Sequence, residues 1–168
     1  MVPSNEYSQF VTNHLSGVPL DWIVIGAFVL FVVALSLKWG TQVAAALSFA
    51  APVAVFAFNA ISTTAFVSGF AAQFSSGMSA AALAGVLFVA FFFVAFRIIG
   101  SYGMTGAYPL QATLGGISAA LIVLVFWFQI PALDALWHFG PIVKAVFAEQ
   151  YRLFWLIAGF LALSLARR

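Results

Sequence analysis

The sequence predicts an all-α integral membrane protein: a polytopic helical bundle of four or five transmembrane helices with short interfacial or re-entrant helices. Three observations predict it. Of 168 residues, 65% are hydrophobic and 6% charged, whereas a soluble domain carries about a quarter of its residues charged. Mean hydropathy is +1.14. The apolar residues gather in runs of membrane-crossing length, and the centres of those runs hold no Asp, Glu, Lys, Arg or His. The formal charge of +2 is too small and too scattered to imply nucleic acid as a partner. The absence of cysteine excludes disulfides, thiol nucleophiles and Cys-ligated metals.

Residues 1–18, "MVPSNEYSQFVTNHLSGV", form a polar N-terminal segment. Glu6 stands where a signal peptide would carry a basic start. The first apolar run therefore reads as a retained span, and residues 19–168 as a single transmembrane domain. The first span covers about 20–38. Of residues 22–37, eleven are Ile, Val, Leu or Phe, together worth roughly −3 to −7 kcal/mol of insertion. Asp21 and Lys38 lie at its edges, with Trp22 and Trp39 beside them as interfacial anchors.

The second span, about 43–61, is rich in alanine and carries Pro52 near its middle. It is either a kinked span or half of a re-entrant hairpin. Residues 62–79 then show two faces. Phe66, Phe70 and Phe74 recur every four residues, and Thr64, Ser68, Ser75 and Ser79 fall opposite them. This pattern fits an interfacial helix or a re-entrant piece, and the hydroxyl side is a candidate polar face for lining a pore.

The third span, about 80–99, ends near Arg97, which can snorkel to the interface as an anchor. A glycine-rich loop leads to the fourth span, about 112–130, which stops at Pro131. Residues 131–148 predict one or two short helices broken at Gly140 and Pro141. Asp134 and His138, spaced i, i+4, would share a polar face there. The last apolar run, about 151–166, precedes Arg167 and Arg168. With five spans, Lys38, Arg97, Arg167 and Arg168 fall on one side, and Lys144 and Arg152 on the other. That bias puts the first group in the cytoplasm and the N-terminus outside.

Candidate chemistry is sparse. The sequence offers no metal-ligand spacing, no nucleophile elbow and no phosphate loop, so no catalytic, cofactor or metal residue is expected. Small residues give the sharper signal. Gly115–Ala119 and Gly116–Ala120 are overlapping small-xxx-small pairs that predict close helix packing. Ala46, Ala50 and Ala54 repeat the spacing, as do Ala81 and Gly85.

Three stretches carry a family resemblance. They are "PLDWIVIGAFVLFVVALSLKWG", "VLFVAFFFVAFRI" and "LGGISAALIVLVFWFQIP". Over roughly residues 19–131 the chain resembles the colicin V production (CvpA) family of small bacterial membrane proteins. The resemblance implies a multi-pass protein of the bacterial inner membrane without a known reaction, associated with toxin production or export and envelope maintenance. The expected function is non-enzymatic and exercised through helix–helix contacts. The partners are the lipid bilayer and a second copy or another membrane protein. The alternative is a small oligomeric channel or transport subunit lined by the hydroxyl face of residues 62–79.

Overall fold

The computed structural model describes residues 19–63, 77–101 and 108–166. Among them are six α-helices: α1 (Leu20–Trp39), α2 (Thr41–Thr63), α3 (Gly77–Ser101), α4 (Pro109–Trp127), α5 (Pro141–Val146) and α6 (Glu149–Leu165). A short 3-10 helix, Pro131–Ala135, lies between α4 and α5, and no strand occurs among the described residues. The four helices α1 to α4 are long and apolar enough to cross a membrane. The last apolar run forms α6, of 17 residues. At 1.5 Å per residue it is about 25 Å long, a little less than a hydrocarbon core of about 30 Å.

Helix boundaries follow from local chemistry. Asp21 occupies the first turn of α1 and Lys38 its last, the two placements that oppose the helix dipole. Gly40 alone joins α1 to α2, at φ 79° and ψ −179°. That region is open essentially to glycine only, so the sharp reversal depends on it. Pro109, Pro131 and Pro141 each sit at the start of a helix, where the missing N–H has no partner to lose. Pro52 is different: α2 runs through it as one continuous helix. The second apolar run is therefore a full-length helix rather than half of a hairpin.

The fourth apolar run ends as a helix earlier than its hydropathy suggests. α4 stops at Trp127, and Ile130 is extended at φ −105°, ψ 100°. Proline at 131 disfavours helical geometry in the residue before it. The turn that results is still apolar, and hydropathy cannot tell such a turn from a last helical turn.

Successive long helices run in opposite directions. A Cβ added at Gly77 would meet Ala135 Cβ at 3.3 Å, and one at Gly100 would meet the Gln42 side chain at 3.4 Å. One end of the bundle thus gathers the α1–α2 turn, the end of α3 and the start of α4. The other carries residues 128–148. α4 is the central helix. It packs against α1, α2 and α6, while α3 packs against α2 and the 3-10 helix. Half of the apolar span of α4 is buried, against 6% of that of α3. Alanines let the helices close up: Ala44, Ala46, Ala50, Ala51 and Ala54 of α2 and Ala112, Ala119 and Ala120 of α4 are all buried.

Candidate functional site

The small residues of α4 divide between two neighbours. A Cβ on Gly116 would stand 2.7 Å from Val33 Cα and 3.2 Å from Ser36 Oγ, so α1 and α4 meet there backbone to backbone. A Cβ on Gly115 would face Ala44 Cβ at 3.3 Å and Ala166 Cβ at 3.8 Å, on the sides of α2 and the end of α6. Ala119 and Ala120 are fully buried one turn further on. α6 contributes a glycine of its own. At Gly159 an added Cβ would be 2.8 Å from Ile122 Cγ1. Sequence reading passed over Gly159, although a lone glycine in an apolar helix costs about 1 kcal/mol against alanine and so signals close approach. The other stripe behaves unevenly: Ala81 is buried, while an added Cβ at Gly85 would meet no atom within 4 Å.

Hydroxyls inside the bundle are mostly satisfied by their own helix. Ser48 Oγ donates to the Ala44 carbonyl at 2.8 Å and Ser118 Oγ to the Leu114 carbonyl at 2.7 Å. Ser36 is fully buried, and its Oγ has no hydrogen-bond partner among the described residues. Of the candidate polar face, Thr64, Ser68 and Ser75 lie outside the described residues. Ser79 falls in the first turn of α3 and is half-buried.

The candidate anchors separate into two kinds. Lys38 and Arg97 are exposed at the end that holds the α1–α2 turn, and the Lys38 ammonium lies 5.5 Å from the centre of the Trp39 ring. Asp21 and Trp22, at the opposite end, are built into the protein. Trp22 packs on the core cluster around Ile25 and Phe139. Asp21 accepts a 2.6 Å hydrogen bond from the Gly140 amide and a 3.3 Å bond from the Trp137 indole. A Cβ at Gly140 would lie 2.8 Å from Asp21 Oδ2, so a side chain there would push the carboxylate aside. No spacing rule links residue 21 to residue 140, and the contact was invisible in the sequence.

Asp21 thereby fastens a cap, residues 128–148, over one end of the bundle. Aromatic rings hold the cap from within. Phe128 stacks on Phe147 at 5.2 Å and tilts against Phe139 at 5.1 Å, and the Trp155 indole donates to the Val146 carbonyl at 2.9 Å. Asp134 and His138 do not share a helix face. The 3-10 helix ends at Ala135 and residues 137–140 are irregular. Asp134 instead pairs with Lys144 at 3.0 Å, with both side chains 43% exposed. The 3-10 helix has about 3 residues per turn and ends before His138, so an i, i+4 spacing sets no common face there.

Beneath the cap lies a cavity of about 460 Å³. Ala51, Ala54 and Val55 of α2 and Leu124 of α4 form its inner wall, and Leu133, Leu136, Trp137 and Phe139 its roof. Val24 and Phe28 of α1 and Gly85 and Phe88 of α3 stand at its side. No ionisable side chain lines it. Such a space can hold an apolar group. The side chains around it supply no proton donor or acceptor with a titratable group, and no group of three or more His, Cys, Asp or Glu among the described residues could hold a metal.

The fold and this end-capped arrangement define a helical bundle with four helices long and apolar enough to cross a membrane. No protein-family model, no curated protein and no solved structure matches the chain.

Proposed function

We propose that this chain is a non-enzymatic multi-pass membrane protein, of the kind its resemblance to the CvpA family implies, which acts through helix contacts in the bacterial inner membrane. The observation that carries this reading is where the charges are. Among the described residues, Lys38 and Arg97 lie at one end of the bundle. Asp21, Asp134, Lys144, Glu149 and Arg152 lie at the other. Catalytic and ion-coupled membrane proteins keep ionisable groups within the span, facing the interior. Here the interior is given to alanine, glycine and aliphatic packing. With Arg167 and Arg168 counted by sequence on the Lys38 and Arg97 side, the bias is four basic residues against two, and the positive-inside rule then puts that end in the cytoplasm and the N-terminus outside.

The contact surface is the outer face of α3, of whose apolar span only 6% is fully buried, with Val86, Phe93 and Val94 exposed. A photo-crosslinking residue placed at Phe93 in native membranes tests the reading. A discrete protein adduct, with a second copy or another membrane protein, is expected. Lipid adducts alone, together with solute flux across liposomes that hold the purified protein, would replace it with the channel reading.

A further inference from the structure

We infer that the cavity beneath the cap holds one acyl chain of a membrane phospholipid, which enters sideways between α1 and α3. Four features of the cavity converge on this occupant.

The first is its place. Its walls are helices of membrane-crossing length, so what stands outside those walls is lipid. The second is its opening. α1 and α3 both border the cavity, yet they make no substantial contact with each other. The gap between them, flanked by Val24 and Phe28 on one side and Gly85 and Phe88 on the other, faces laterally. The half-exposed rings of Phe28 and Phe88 are its edges.

The third is chemistry. The lining is aliphatic and aromatic, and a volume of about 460 Å³ falls within the range of small-ligand sites, about 300–1,000 Å³. A charged ligand would lose its hydration there with no ionic partner, whereas an alkyl chain loses nothing; the one buried, unpartnered side-chain donor among the described lining residues is Trp127 Nε1. The fourth is the roof. Leu133, Leu136, Trp137 and Phe139 close the cavity at the membrane surface, and Asp21 holds that roof through Trp137 and Gly140. The roof keeps water out of an apolar space, and the side gap leaves it open to lipid. The inference goes beyond the proposed function and does not depend on it. A protein that binds no partner through α3 can still hold a chain here.

Gly85 gives a clean test, because an added Cβ there meets no atom within 4 Å although the residue borders the cavity. Gly85→Phe puts a ring at the mouth from a position where the Cβ has room. Native mass spectrometry of the full chain, stripped of bulk lipid in detergent, should show wild type with one bound phospholipid. Gly85→Phe should retain roughly a tenth as much at an unchanged melting temperature, a loss equivalent to about 1.4 kcal/mol of binding. Gly140→Ala, which forces the Asp21 carboxylate off the roof, should lose its phospholipid faster than wild type. Wild type without an adduct, an adduct of fatty-acid mass only, or equal retention by Gly85→Phe would each overturn the inference. A second measurement needs no variant. A phospholipid spin-labelled in mid-chain should quench part of the tryptophan fluorescence in detergent saturably at one equivalent, because Trp127 and Trp137 line the cavity, and linear, unsaturable quenching would overturn it as well.

Discussion

Replacing Gly116 with alanine adds one methyl group at the tightest of the contacts made by the described glycines. That methyl would sit 2.7 Å from Val33 Cα and 3.0 Å from Val33 Cγ2. The nearer atom is backbone, so no rotamer change relieves the clash. α1 must retreat by about 0.7 Å to reach the start of ordinary contact distance. Overpacking of this kind costs about 1–3 kcal/mol. Against it stands the better helix propensity of alanine, about 0.5–1 kcal/mol. The difference favours glycine by about 1 kcal/mol or somewhat more. Gly116→Leu should cost more still. Two glycines on neighbouring surfaces serve as controls. At Gly115 the nearest atom is the methyl of Ala44 at 3.3 Å, and at Gly85 there is none within 4 Å. Gly115→Ala should be close to neutral, and Gly85→Ala neutral or stabilising by up to about 1 kcal/mol. Unfolding in mixed micelles with increasing denaturing detergent, followed by tryptophan fluorescence, gives all four on one scale. The order Gly85→Ala, Gly115→Ala, Gly116→Ala, Gly116→Leu, from most to least stable, is expected. Gly116→Ala as stable as Gly85→Ala would refute the close α1–α4 approach.

Other predictions concern the ends of the bundle. Gly40→Ala puts a side chain at φ 79° and should cost about 1–3 kcal/mol by the same unfolding assay; an unchanged midpoint would mean that α1 and α2 are not joined by so sharp a turn. Asp21→Ala removes the acceptor for the Gly140 amide and the Trp137 indole, and bonds to a charged acceptor are worth about 1.5–3 kcal/mol. Hydrogen exchange should then accelerate at Gly140 and across α5 while α4 stays protected, and uniform protection would show that the cap does not rely on this carboxylate. Asp134→Ala or Lys144→Ala should shift stability by less than about 1 kcal/mol, since the pair is exposed; a larger loss by either would make the pair part of what holds the cap.

The membrane helices could be read from the sequence because lipid imposes a simple rule. Every backbone polar group must be satisfied within the segment, so long uncharged runs become helices. The glycine pair at 115 and 116 was also legible, because lipid offers no hydrophobic drive between helices and small residues mark where backbones meet. What they meet was legible only in part. Gly116 faces α1, while its neighbour Gly115 turns to α2 and α6, a division set by a rotation of about 100° per residue and by neighbours that only the fold supplies. Asp21 looked like any charge at the end of a span. Its partnership with Gly140 spans 119 residues of sequence and leaves no local pattern. Asp134 and His138 misled in the opposite way: an i, i+4 spacing shares a face only on an α-helix, and residues 131–140 form a short 3-10 helix followed by irregular chain. The cavity has no sequence signature, because it is lined by ordinary core residues and defined only by the gap between α1 and α3.

Single cysteines and a membrane-impermeant thiol reagent test the central claim, a bundle that crosses the membrane with its charges gathered at two opposite ends. The chain has no cysteine of its own, so each introduced thiol reports alone. In oriented membrane vesicles, cysteines replacing Lys38 and Arg97 should label from one face, and cysteines replacing Lys144 and Glu149 only from the other. Cysteines replacing Val32 and Ile122, both fully or nearly fully buried, should label from neither. Labelling of Lys38→Cys and Lys144→Cys from the same face would contradict the spanning bundle.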